Sequence, residues 1–301
     1  MASKKNRLIK GLLWPVLMSV VLIAGEALAK EYDIKGSIKI PGQDTVQILT
    51  MKDGSRIIGR ILSIQDNDIT FESDLGQTTI QLAKIKEIKE VPAGSIRKGN
   101  YWFENPNATR LYFAATGRML EKGQGYFSDY YLFFPGIAYG ITDNFTFGAG
   151  MSIFPGVDIA DQIFYFTPKI GLSATKNTNF ALGTLIIALP EIDDKRHTLG
   201  ILYAVGTQGS PDASLSLGLG YGYVDDNFAD RPMVMVGGEK RFARRISFVS
   251  ENWIIPGVDA PFISYGMRFF GEGLSVDLAL FNLLDNAIFP GVPWIDFVFS
   301  F

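Results

Sequence analysis

The sequence predicts an all-β chain: a transmembrane antiparallel up-and-down β-barrel of about twelve strands, with ten as the alternative count, preceded by a small five-stranded β-module. Three observations lead there. Residues 213–223 read A-S-L-S-L-G-L-G-Y-G-Y, a strict period of two that excludes a helix, whose apolar stripe recurs every three or four residues. Hydrophobic residues make up 47% of the 301-residue chain, yet after residue 30 no apolar run approaches the roughly 20 residues of a spanning helix. Apolar side chains dispersed in alternation are how a barrel wall escapes hydropathy windows. Finally, short turns and long loops alternate along the second part of the chain, the two-rim pattern of membrane barrels.

The first element is a leader. Lys4, Lys5, Arg7 and Lys10 precede an apolar run over residues 11–25, and Ala27-Leu28-Ala29 supplies a small-x-small cleavage site, so residues 1–29 read as a secretory signal peptide. The run is too short to span a bilayer and contains Pro15. Its removal takes away four basic side chains and Glu26, which moves the net charge from −3 to −6. An exported, mildly acidic chain is a poor partner for nucleic acid. With no cysteine in the sequence, both a disulfide framework and a lipid-anchored cysteine are excluded, and the fold itself must hold the protein in its compartment.

Residues 30–91 form the second element. Short β-branched runs at 46–49, 56–65, 68–73, 78–82 and 85–88 are separated by Asp53-Gly54, Asp66-Asn67-Asp68 and Leu75-Gly76, turn pairs that read as five strands of a small curled barrel. The stretch M-K-D-G-S-R-I-I-G-R-I-L-S-I, followed by D-I-T-F-E-S and Q-T-T-I-Q-L, resembles the SH3-like or Sm-like barrels of bacterial proteins. That resemblance implies the fold alone, since such barrels serve many roles; residues 30–91 read as a soluble periplasmic module, with a periplasmic partner as a candidate. Residues 92–109, with Pro92, Gly94, Gly99 and Asn105-Pro106-Asn107, read as a linker. Its aromatic trio Tyr101-Trp102-Phe103 suits either a membrane surface or packing on the module.

From residue 110 to 301 glycine replaces charge and the barrel begins. Alternation marks strands at 145–153, 199–205, 213–223, 263–269 and 274–280. Tight connections fall at 142–144, 176–178, 210–212, 243–245 and 271–273, and longer ones at 116–124, 155–162, 190–196, 225–231, 256–261 and 282–292. Five turns and six loops make twelve strands and return both ends to one side. Residues 123–141, with Pro135-Gly136, and the poorly alternating 246–255 are where a boundary is most easily misplaced. The last strand, P-W-I-D-F-V-F-S-F, alternates Ile295, Phe297, Phe299 and Phe301 against Trp294, Asp296, Val298 and Ser300. Ending on phenylalanine, it resembles the C-terminal assembly signal of Gram-negative outer-membrane β-barrel proteins. The resemblance implies an outer-membrane location with the module in the periplasm, contact with outer-membrane lipids, and recognition of the last strand by the barrel assembly machinery.

Candidate chemistry is sparse. His197 is the sole histidine and lies beside a predicted outer loop. A Ser-His lipid hydrolase would need it as a base, but no sequence context fixes a nucleophile. Acidic residues crowd the predicted outer loops (Asp158, Asp161, Glu191, Asp193, Asp194, Asp225, Asp226, Asp230, Asp259, Asp285) without the spacing of a calcium loop. No metal site or cofactor is expected. The inward parity carries Arg110, Lys169, Glu239, Arg241, Glu251, Arg268, Asp277 and Asp296, because charge facing lipid at mid-membrane costs about 2–4 kcal/mol for Arg or Lys. Paired, they would close the bore; separated, they would set a field across a water-filled pore. Glycines assigned inward, Gly148, Gly150, Gly171, Gly200, Gly206, Gly218, Gly220, Gly222, Gly237 and Gly266 among them, argue for space. The chain resembles uncharacterised Gram-negative outer-membrane barrels, and the expected function is passive passage of small hydrophilic solutes. A non-conducting anchor for residues 30–91 and a His197-dependent lipid-modifying enzyme are the alternatives.

Overall fold

The computed structural model describes residues 38–301 other than 193, 194 and 287. The expected signal peptide lies outside these residues. The chain divides into two compact units, one ending at Trp102 and the other beginning at Phe103.

In the first unit, β1 (Thr45–Met51), β2 (Arg56–Ile64), β3 (Asp68–Ser73), β4 (Gly76–Gln81) and β5 (Ile85–Pro92) form an antiparallel sheet in the order β4-β3-β2-β1-β5. The β1–β2 turn closes on Asp53, whose Oδ1 accepts the Ser55 N–H at 2.8 Å, with Gly54 at φ +87°. One face of the sheet buries Leu49, Ile61, Ile69, Phe71, Ile80 and Ile85. Gln47, fully buried, satisfies its amide by accepting the Ile61 N–H and donating to the Lys39 carbonyl. Residues 92–102 are structured: after a 3₁₀ turn at Ala93–Ser95, β6 (Ile96–Arg97) and β7 (Asn100–Tyr101) pair as a hairpin over Lys98 and Gly99, both at positive φ. The glycine read as a linker signal serves a two-residue hairpin turn instead.

The second unit is a closed antiparallel barrel of twelve strands. Its elements are β8 (Gly125–Tyr130), β9 (Phe134–Thr142), β10 (Phe145–Met151), β11 (Phe164–Phe166), β12 (Lys169–Thr175), β13 (Thr178–Ile192), β14 (Lys195–Ser210), β15 (Ala213–Val224), the short β16 (Asn227–Phe228), β17 (Met233–Ala243), β18 (Ile246–Ile254), β19 (Phe262–Phe270), β20 (Leu274–Leu283) and β21 (Val292–Ser300). β11 and β12 both lie between β10 and β13 and make one wall strand, interrupted at Thr167-Pro168 because proline cannot donate to the ladder. β16 is a flap on β15. The wall closes where β21 pairs with β8, Asp296 opposite Tyr130 and Ser300 opposite Tyr126.

Twelve strands arise by a different partition from the one the sequence suggests. Residues 110–115 are not a wall strand, and Arg110 and Ala115 share only an isolated bridge. Residues 125–141, expected as one strand, are two, β8 and β9, joined by a tight turn at 131–133 in which Tyr131 and Leu132 have positive φ. The predicted outer loop at 116–124 is therefore not a loop on the rim. Elsewhere the five tight turns share one rim and the long loops the other, while β13 and β14 run through most of the predicted loop at 190–196.

The exterior is apolar. On β15, Leu215, Leu217, Leu219 and Tyr221 are exposed and Ser216 is buried; Phe269, Leu278 and Phe299 stand outward in the same way on β19, β20 and β21. Large hydrophobic side chains exposed all round a closed sheet need a hydrocarbon solvent, which makes this a membrane-spanning wall.

Candidate functional site: a plugged bore with an apolar chamber

The bore is filled from the short-turn rim by residues 103–124, which precede the first wall strand. Leu111, Tyr112 and Ala114 of this plug join Ala181, Val205, Met235, Val249, Ala279 and Phe281 of the wall in one buried cluster. Asn105 donates to the Pro211 carbonyl in a short turn and to Glu239, the Ser300 hydroxyl donates to the Pro106 carbonyl, and the Gly117 N–H donates to Thr207. The aromatic trio divides between the units. Tyr101 and Trp102 sit under Lys89 and Arg97 within the first, and Phe103 is buried within the second beside Phe270 and the Arg241 guanidinium.

The eight charges expected in the bore are all buried, seven on wall strands and Arg110 on the plug. They are consumed by pairing. Arg268 binds Asp277 through two parallel hydrogen bonds of 2.7 and 2.8 Å, donates to Glu239 at 2.8 Å, and donates to the plug carbonyls of Asn107 and Leu111. Arg110 pairs with Asp296 and donates to the Tyr130 hydroxyl. Arg241 donates to Asp212 and to the Phe103 carbonyl. Among the described residues Glu251 pairs with no arginine. Its Oε2 accepts the consecutive N–H groups of Tyr112, Phe113 and Ala114, each at 2.9 Å, while Oε1 accepts the Trp253 indole. Successive backbone N–H groups make an anion nest, here occupied by a wall carboxylate. Lys169 donates to three plug carbonyls, of Thr109, Thr116 and Arg118. A buried charge is costly unless it is paired and hydrogen-bonded, and the plug supplies what the wall charges lack.

Between the plug and the long-loop rim lies a cavity of about 490 Å³, floored by Arg110, Phe113 and Ala114. Its walls are mostly apolar, with Leu185, Ile187 and Leu189 on β13, Leu199, Ile201 and Tyr203 on β14, and Trp253 and Trp294 opposite. This corrects the facing of β14. Residues 199, 201, 203 and 205 line the interior, and Gly200 and Gly206 lie on the opposite parity. Alternation gives two faces but not which is outside, and an apolar chamber removes the contrast that would decide it. The glycines hollow the bore only in part: Gly218 and Gly220 line the cavity, whereas others are covered by rings. The Tyr165 ring lies over Gly136 and Gly150, and the Tyr203 ring over Gly183, where a Cβ would collide with them.

His197 Nδ1 lies 2.9 Å from Asp225, which also accepts the Thr198 N–H; this is the histidine's sole side-chain partner among the described residues. The backbone N–H of Thr198, then the His197 ring, hold the exposed Asp225 carboxyl below the usual carboxylate range. No cluster of metal-ligating residues occurs among the described residues. Ile295, Phe297 and Phe299 stand on the face of β21 opposite Asp296, and Phe301 follows the strand, exposed.

No known protein family matches the chain, and no curated protein does. Solved structures do resemble it. OmpTdeltaL8, a loop L8 deletion mutant of the outer membrane protein OmpT of Vibrio cholerae, is 10% identical over 87% of this chain and 99% of its own, with a TM-score of 0.32. Outer membrane phospholipase A from Escherichia coli is 8% identical over 69% of this chain and 95% of its own, with a TM-score of 0.33. A mutant of Rh. blastica porin is 14% identical over 85% and 97%, with a TM-score of 0.32.

Proposed function

We propose that the protein is a gated transport barrel of the outer membrane, closed at rest by residues 103–124. The observation that carries this is the plug's mode of attachment. Beyond the packing of Leu111, Tyr112 and Ala114 on the wall, it is held by individual hydrogen bonds to wall charges, most of all by the Glu251 carboxylate in its nest, rather than being a wall element whose removal would open the sheet. An unconditional pore for hydrophilic solutes does not suit a bore in which Arg268, Glu251 and Tyr112 are all about 1% exposed or less; passage requires the plug to shift. The leader at 1–29, a periplasmic SH3-like role for residues 30–91 and the assembly-signal role of Ile295, Phe297, Phe299 and Phe301 belong to the same proposal. Their support is the sequence pattern.

Replacing Glu251 by Ala leaves the N–H groups of Tyr112, Phe113 and Ala114 without their acceptor, each hydrogen bond to a carboxylate being worth about 1.5–3 kcal/mol. In planar bilayers the wild type is expected to be silent or to open rarely, and Glu251→Ala to open at least about tenfold more often, a shift of about 1.4 kcal/mol. Heat-modifiable gel migration checks that both are folded. If both are folded and both stay silent, the gate fails and a non-conducting anchor for the N-terminal module stands.

A further inference from the structure

We propose that the cavity above the plug is a binding site for a hydrophobic small molecule carrying one hydrogen-bond-accepting head group. This deepens the transport reading by naming what the barrel takes up, and it differs from the hydrophilic solute the sequence suggests.

Three features of the cavity converge on that class. Its volume of about 490 Å³ falls within the range of roughly 300–1,000 Å³ typical of ligand pockets. Its upper walls are hydrocarbon and indole, from Leu185, Ile187, Leu189, Leu199, Ile201 and Trp253, where a sugar or an ion would lose water without replacement. The charged side chains on its lining, Arg110 and Lys169, are already committed: Arg110 to Asp296 and Tyr130, Lys169 to three plug carbonyls. No free charge is left to select an ion.

The remaining polarity is specific. Tyr126 and Tyr203 both line the cavity, and neither hydroxyl has a hydrogen-bond partner among the described residues. A sheltered tyrosine hydroxyl ordinarily finds a partner. The other tyrosines of the lining show the contrast, since the Tyr130 hydroxyl receives Arg110 and that of Tyr165 donates to the Phe134 carbonyl. Two unused phenol donors, in a chamber whose other polar lining is the hydroxyls of Thr109, Ser128, Thr146 and Thr167 and the unpartnered Trp294 indole N–H, suit an alcohol, carbonyl or carboxyl oxygen at one end of an alkyl or aromatic body. The body then extends toward the long-loop rim along β13 and β14.

The probe is 10-bromodecan-1-ol, whose bromine quenches indole fluorescence on contact, added to the full-length protein in detergent. Trp253 and Trp294 on the lining report it. Saturable quenching is expected in the wild type. Filling the chamber with Ile187→Phe and Leu199→Phe should abolish saturation, and Tyr126→Phe with Tyr203→Phe should weaken binding about fivefold per hydroxyl lost while leaving 1-bromodecane unaffected. Quenching that rises linearly and identically in the filled variant, as micelle partitioning would give, overturns the site; so does competition by maltotriose. Equal affinity for the bromoalcohol before and after removing the hydroxyls overturns the head-group assignment. Because binding is read without conductance, a chamber that fails here is distinguishable from a gate that fails in bilayers.

Discussion

Arg268 is the residue on which most of the bore depends. It neutralises Asp277 and Glu239 and binds the plug at three carbonyls, with no exposed surface of its own. Arg268→Met keeps much of the volume and strands two buried carboxylates, a change expected to cost about 3–5 kcal/mol and to show as a lowered urea midpoint of the barrel in vesicles. Asp225 works at the opposite, solvated extreme. Its folded-state pKa is depressed, so whatever it contributes to holding Thr198 and His197 is present above the ordinary carboxylate value of 3.8 and is lost as pH falls through the lower folded value. Protection of the Thr198 amide, measured relative to its intrinsic exchange rate at each pH, should therefore fall on acidification below about pH 4, starting from the usual carboxylate range, and Asp225→Asn should remove most of that pH dependence.

The wall strands translate alternation into two solvents. Leu217, 56% exposed at the middle of β15, faces the acyl chains, and its neighbour Ser216 is buried at 1%. Leu217→Arg is expected to cost about 2–4 kcal/mol, measurable as reduced folding yield into vesicles, whereas the same change at Leu215 nearer the rim should cost less. Period two and turn residues made β10 and most strands from β15 onward legible, where one face is greasier than the other, and the turns alone delimited the poorly alternating β18. They failed in two places for physical reasons. On β14 both faces are apolar, so pattern alone could not tell chamber from lipid. At 125–141 the chain turns through Tyr131 and Leu132, non-glycine residues at positive φ, and carries none of the Asn-Gly or Asp-Gly chemistry by which a tight turn is recognised.

Considered whole, the molecule places a structured, five-stranded unit ahead of a barrel whose own leading segment closes its bore. Residues 103–124 read as linker, strand and loop because they have the composition of irregular chain: Asn105-Pro106-Asn107, Gly117, Gly123. Irregular backbone at membrane depth is tolerated where protein surrounds it, and here the wall charges satisfy its N–H and C=O groups. Nothing in a linear reading distinguishes such a segment from a loop outside. What marks it is the complementary set of charges on distant strands, brought together only by closure of the cylinder.

The seam between β8 and β21 is tied to the segment inside it. Arg110 touches both of its sides at once, Asp296 on the last strand and Tyr130 on the first, two residues that are register partners across the join. The chain's earliest barrel segment thus clasps its final strand to its first from within. Such a clasp couples the seating of residues 103–124 to the tightness of the seam, through side chains 186 positions apart in the chain.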